Sequence, residues 1–188
     1  AALLLSAADA GLNAVSTTSM GRLFDAVAAL AGVRDAVAYE GQAAIELEQA
    51  ADEAEPGSYQ FSLLRENESW VADWRPVVRA VAEDVTRGVS VGCISMRFHR
   101  ALAALLVETA EELRRETGCS VVALSGGCFQ NELLLTLGVT ALERRGFTVW
   151  INHLVPCNDG GISYGQAAAT AAQIGERSTL CALQSREQ

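Results

Sequence analysis

The chain has 188 residues, 50% hydrophobic and 20% charged, with a net charge of −9 and a pI near 4.7. This is the composition of a soluble globular domain with its own core. The acidity argues against a nucleic-acid backbone as partner, because binding phosphates needs a Lys/Arg footprint. Five widely spaced cysteines without a C-x-x-C pair (Cys93, Cys119, Cys128, Cys157, Cys181) argue against a disulfide framework or zinc ribbon and for a reduced, cytoplasmic compartment.

Residues Ala1 to Leu12 read as a short apolar helix. Its opening Ala-Ala-Leu-Leu-Leu run is too short to span a membrane and lacks the basic segment of a signal peptide. It looks like the end of a helix whose upstream partners are absent, so the chain reads as a piece of a larger protein. Ser16-Thr17-Thr18-Ser19 offers N-caps for a helix from Met20 to Leu30, whose apolar residues recur at spacings of three and four, and Gly32 ends it. A second helix starts around Gly41 and runs to Ala50, its acidic residues reading as a solvated face. Glu55-Pro56-Gly57-Ser58 is a turn.

Tyr59 to Leu64 and Trp70 to Trp74 flank the polar tip Arg65-Glu66-Asn67-Glu68, the pattern of a hairpin, with both tryptophans expected in the core beneath it. Pro76 suits the first turn of a helix to about Arg87, and a long helix follows from about Cys93 to Glu116. Arg114-Arg115 and Arg144-Arg145 each fall near a helix C-terminus, where cations offset the helix dipole.

The last third alternates strand, helix, strand, helix. Val121-Val122-Ala123-Leu124 is a short buried strand broken by Ser125-Gly126-Gly127, and a helix carrying Leu133, Leu134, Leu137, Val139 and Leu142 follows. Phe147 to Asn152 is a second strand; Pro156-Cys157-Asn158-Asp159-Gly160-Gly161 then turns into a small-residue helix from Ile162 to Ile174, and the tail from Gly175 to Gln188 carries little pattern. This order implies parallel strands joined by right-handed crossovers. Both glycine turns then lie at the C-terminal edge of the sheet, where open α/β sheets bind ligands. A strand, glycine turn and helix can also bring backbone N–H groups up to an anion.

Asp159 can hold a divalent metal beside a phosphate on the neighbouring Gly126-Gly127 turn, and it can equally be a plain N-cap. Asp25 has the helical spacing to face the same cleft, or to satisfy the helix dipole at the surface. Asn131 is placed for a nucleotide sugar or base, or for capping the helix that follows. His99 reads as a packed or surface residue; His153 has the spacing to approach the Asp159 site but reads rather as a strand-end surface residue, and one carboxylate with one histidine does not close a metal site. Ser125 lacks the G-x-S-x-G elbow of a nucleophile, and the cysteines read as small apolar packing units.

Five motifs fall in one order: Ser19-Met20-Gly21-Arg22-Leu23-Phe24-Asp25-Ala26-Val27-Ala28, Tyr39-Glu40-Gly41-Gln42-Ala43-Ala44, Phe98-His99, Leu124 to Asn131, and Asn158-Asp159-Gly160-Gly161. Together they resemble the C-terminal carbamoyltransferase domain of the HypF family of [NiFe]-hydrogenase maturation proteins, from about Ser16 to about Ala172. The resemblance implies part of an actin/Hsp70-like fold with ribonuclease-H-like lobes, helix-rich α/β with a small parallel sheet and a helical insertion. It implies a helical part over about residues 1–118, a βαβα part over about 119–175 and a tail at 176–188.

It also implies a reaction. Carbamoyl phosphate and ATP give carbamoyl-adenylate, whose carbamoyl group passes to the C-terminal cysteine of a HypE-like acceptor. By the resemblance, Asp159 is the metal-ligand aspartate, Asp25 and Asn131 contact the adenosine part, Gly41 lines that pocket, and Gly126-Gly127 lets the nucleotide approach the backbone. The family's paired metal-binding histidines precede the Gly-Arg-Leu-Phe-Asp region, so catalysis by this chain alone is not expected, and uncovered edges predict self-association. Competing readings are an O-carbamoyl or tRNA threonylcarbamoyl transferase of the same fold, a non-catalytic interaction module, and a sugar kinase.

Overall fold

The computed structural model describes residues 6–7, 10–12 and 15–184. The helix expected over Ala1 to Leu12 lies largely outside the described residues; Ser6 and Ala7 are helical, and Gly11 sits in a turn. The described helices are α1 (Met20–Leu30), α2 (Gln42–Gln49), α3 (Arg75–Thr86), α4 (Val91–Thr117), α5 (Glu132–Arg144) and α6 (Ile162–Gln184). The described strands are β1 (Ser62–Glu66), β2 (Ser69–Asp73), β3 (Val121–Leu124) and β4 (Thr148–Ile151).

Helix α4 organises the chain. Its 27 residues make a rod of about 40 Å, capped by Ser90, whose hydroxyl accepts from the Cys93 N–H, and ended by Gly118 in the left-handed conformation. Ile94, Phe98, Ala101 and Leu102 join one apolar core with Phe24 and Val27 of α1, Leu47 of α2, and Val77 and Val81 of α3. Farther along α4, Val107 and Ala110 join a second core with Leu124, Leu142 and Phe147. The second core belongs to the βα part, where β3 and β4 pair in parallel from Val121↔Thr148 to Leu124↔Ile151. Gly138 lets α5 lie close to α4, since a Cβ there would stand 3.0 Å from Leu106 Cδ1. Arg114 fastens the far end, stacking on the Phe147 ring at 4.1 Å and donating to the Arg145 carbonyl.

A buried polar cluster ties the helical part together. Asp84, 2% exposed, accepts from the Tyr59 hydroxyl at 2.8 Å, from Arg97 at 2.7 Å and from Arg87. Arg97 reaches on to Glu55 at 3.1 Å. Burial alone would push the Asp84 carboxyl up, but the hydrogen bonds from Tyr59, Arg97 and Arg87 outweigh it and hold the carboxyl below its usual range. Burial first, and Asp84 second, push the Tyr59 phenol up.

Several expectations are corrected. The hairpin ladder starts at Ser62 rather than Tyr59, because the Tyr59 N–H donates to the Arg97 carbonyl and its hydroxyl to Asp84, which holds that stretch on α4. Its turn is the two-residue Asn67-Glu68, both with positive φ, the geometry that matches strand twist. Trp74 is not in the core: it is 53% exposed at the N-cap of α3, where the chain has left the sheet. Trp70 is half-buried at the hairpin edge, its indole N–H donating to Glu116 and its ring under Arg65. The acidic residues of α2 are not merely a solvated face, for Glu46 forms a two-pronged pair with Arg34 and Glu48 caps α5. Helix α6 runs past Ile174 to Gln184, since a glycine such as Gly175 costs a helix interior only about 1 kcal/mol and no proline follows.

Candidate functional site

The two glycine turns leave the C-terminal ends of β3 and β4 side by side. They are tied together where the Gly126 N–H donates to the Cys157 carbonyl at 2.8 Å. After β3 the chain does not enter a helix directly. Gly127–Gln130 forms a 3₁₀ turn, and α5 begins only after Asn131. Phe129 in this turn packs against both cores, and Cys128 against the first, so the turn is pinned at the seam where the helical and βα parts meet.

The glycines of the two turns differ in what holds them. Gly126 has φ +108 and ψ 158, a conformation that L side chains rarely adopt. Gly161 is fixed by packing, because a Cβ there would lie 2.5 Å from the Pro156 carbonyl oxygen. At Gly160 a Cβ would crowd Asn158 Oδ1 at 3.1 Å, the atom that caps this turn by accepting the Gly160 N–H. Gly127 has neither reason: a Cβ there would meet nothing within 4 Å. A cavity of about 350 Å³ opens at this sheet edge, lined by Leu124, Phe129, Leu135, Ile151, Val155 and Cys157 among others.

Asn131 is 9% exposed and caps α5, its Oδ1 accepting the Leu134 N–H at 2.7 Å. Its Nδ2 lies 2.9 Å from His99 Nε2. The Leu133 N–H is taken by Glu48 of α2 at 3.0 Å. Two of the N–H groups expected to greet an anion at the start of α5, those of Leu133 and Leu134, are therefore already taken by a carboxylate and an amide of the chain itself. Beside it, the glycine turn is open on the side-chain face of Gly127.

His99 is the packed residue of the two expected readings, with 0% exposure, its ring edge-on to Phe24 and Phe98. Burial pushes its imidazole down, against the pull of the Ser95 carbonyl and the Glu48 carboxylate. Burial pushes the Cys128 thiol up, which leaves it a poor nucleophile beside the turn.

Of the residues singled out from sequence, Gly126, Gly127 and Asn131 share one turn, and Asp159 starts the turn joined to it. Asp25 lies on α1, which packs against the 3₁₀ turn, half-buried and paired with Arg22 at 3.0 Å. Gly41 caps α2 with φ +81. It stands at the opposite end of α2 from Glu48, about 10 Å from the α5 junction along the helix axis. His153 is exposed beyond β4, as its strand-end position implies. Asp159 is exposed, and among the described residues no group of three or more His, Cys, Asp or Glu side chains could hold a metal ion. A divalent cation needs about six oxygen donors, so Asp159 can supply one ligand and the described residues do not complete the set. Sequence reasoning missed Glu48 and the depth of His99; their contacts span 85 and 32 residues and leave no local signal.

Residues 1–166 match the family described as the carbamoyltransferase Kae1-like domain, second subdomain. The carbamoyltransferase HypF of Synechocystis sp. is 39% identical over 168 residues, covering 88% of this chain and 20% of the relative. That of Rhizobium leguminosarum bv. viciae is 39% identical over 155 residues, covering 81% and 19%. The crystal structure of full-length HypF in its phosphate- and nucleotide-bound form superposes with a TM-score of 0.83 at 44% identity, over 88% of this chain and 26% of that one. The chain thus spans about a fifth of the length of these curated relatives. The helix-rich α/β architecture with its small parallel sheet is the actin/ribonuclease-H-like fold of these neighbours. The chain belongs to the HypF carbamoyltransferase family, in the second subdomain of its Kae1-like domain.

Proposed function

We propose that this chain is the nucleotide-binding part of a HypF-type carbamoyltransferase, which moves a carbamoyl group from carbamoyl-adenylate to the C-terminal cysteine of a HypE-like acceptor protein. The observation that carries this reading is Gly127, which is bare without any structural need to be, at a turn whose neighbours are anchored in both cores. A backbone kept free of a side chain on its open side is what a ligand lying flat against it requires. The solved neighbour holds phosphate and nucleotide, which supports the same assignment.

In this reading the nucleotide lies across Gly126-Gly127, with Asn131 and Asp25 toward its adenosine part and Gly41 at the pocket margin. Asp159 contributes one oxygen to a divalent metal whose other ligands come from outside the described residues. The metal, when bound, would polarise the carbamoyl carbonyl as a Lewis acid. Carbamoyl phosphate and ATP are the substrates of the whole enzyme, and the nucleophile is the acceptor's thiolate; burial pushes the Cys128 thiol up, which disfavours a thiolate of this chain at the turn. A cytoplasmic setting suits the cysteines Cys93, Cys119, Cys128 and Cys157, which are free. No helix among the described residues is long and apolar enough to cross a membrane.

Equilibrium titration of the chain with ATP tests the reading. Binding at about micromolar affinity is expected, and no detectable binding would favour the alternative of a non-catalytic interaction module.

A further inference from the structure

We infer that His99 is a positioning residue for Asn131: seated between the Ser95 carbonyl and the Asn131 amide, it fixes which way that amide faces and so what Asn131 offers a nucleotide. The inference rests on the nucleotide site proposed above.

The direction of each hydrogen bond follows from the chemistry of its partners. His99 Nδ1 lies 2.8 Å from the Ser95 carbonyl oxygen, which can only accept, so Nδ1 carries the proton. Nε2 is then a bare acceptor, and the Asn131 Nδ2–H donates to it across 2.9 Å. On its other side Asn131 Oδ1 accepts from the Leu134 N–H at 2.7 Å. Rotating the amide by half a turn would set N–H against N–H at Leu134 and oxygen against a lone pair at His99. Both ends hold it in one orientation, which leaves one Nδ2–H and one Oδ1 lone pair for a ligand.

Capping alone does not call for this arrangement. The Asn131 Oδ1 caps α5 by itself, and its amide nitrogen could face water. Instead the chain buries an imidazole completely, at the cost of desolvating it. It then anchors the layer behind that imidazole, since the Ser95 hydroxyl donates to the Leu47 carbonyl of α2. The polar path therefore joins α2, α4 and α5 directly beneath the glycine turn.

The test is ATP titration of the chain and of four variants: Asn131→Ala, His99→Asn, His99→Gln, and Asn131→Ala combined with His99→Asn. A glutamine amide reaches the place of Nε2 and can still accept from Asn131. An asparagine amide reaches only the place of Nδ1 and cannot. Both remove the buried ring, so a purely structural role would weaken the two alike, and thermal unfolding of each variant reports that shared loss.

Asn131→Ala and His99→Asn are each expected to raise Kd on the order of ten-fold. His99→Gln should stay within about three-fold of the parent chain. The double variant should bind no more weakly than Asn131→Ala, because His99 acts through Asn131. Equal weakening by His99→Asn and His99→Gln, or a further loss in the double variant, would overturn the inference while leaving the nucleotide site standing. Absence of ATP binding by the unsubstituted chain would overturn both.

Discussion

Adding one methyl group at Gly126 and at Gly127 should have opposite consequences. Gly126 sits at φ +108, and its N–H closes the 2.8 Å bond to Cys157 that joins the two turns. An alanine there keeps its N–H but faces backbone strain of about 1–3 kcal/mol, or relieves part of it by giving up the Cys157 bond, worth about 1 kcal/mol. The melting temperature should fall by roughly 6 °C for a chain of this size. At Gly127 the new Cβ meets nothing within 4 Å. Gly127→Ala should leave stability unchanged or raise it by about 0.5 kcal/mol, through a less flexible unfolded chain. Its effect belongs to the ligand: a Cβ on the open side of the turn should weaken ATP at least ten-fold, or about 1.4 kcal/mol. Thermal unfolding followed by circular dichroism and isothermal titration with ATP separate the two effects. A Gly127→Ala chain that binds ATP as the parent does would refute the placement of the nucleotide against this turn. One that unfolds as readily as Gly126→Ala would refute the packing argument.

Further outcomes follow from the same contacts. Asp84→Ala strands the Tyr59 hydroxyl and half of Arg97's partners, so chemical denaturation should register a loss of about 2–4 kcal/mol, reduced from a fully buried pair because Arg97 remains 27% exposed. Because the folded pKa of His99 is depressed below 6.5, the unfolded chain takes up its proton first. Stability should be full above pH 6.5 and decline as pH falls below it, by up to about 1.4 kcal/mol per pH unit, and His99→Gln should flatten that decline. With Trp150 65%, Ile162 53% and Tyr164 66% exposed, sedimentation velocity should detect concentration-dependent association, and Trp150→Lys should reduce it.

What could be read in the sequence was local. Val121-Val122-Ala123-Leu124 followed by Ser-Gly-Gly declares a strand and its break within seven residues, and the parallel pairing of β3 with β4 follows from the helix between them. Asn131 declared itself both as a cap and as a site candidate, and the structure gives it the capping role together with a hydrogen bond to His99. The cap on the Leu133 N–H was not legible, because Glu48 lies 85 residues before it. Likewise Tyr59 looks like a strand residue until Asp84 and Arg97 draw it away from the ladder. Trp74 carries the bulk of a core residue, and only its position past the end of β2 puts it in solvent.

As proposed above, this chain carries a working half of a nucleotide and metal site. Its most direct test is isothermal titration with a non-hydrolysable carbamoyl-adenylate mimic, with and without a divalent metal, on the parent chain and on Asp159→Ala. Binding should be strengthened by the metal, and that strengthening should be lost in Asp159→Ala. Binding that is indifferent to both metal and substitution would remove Asp159 from the site, and no binding under any condition would mean that this chain by itself holds no nucleotide site.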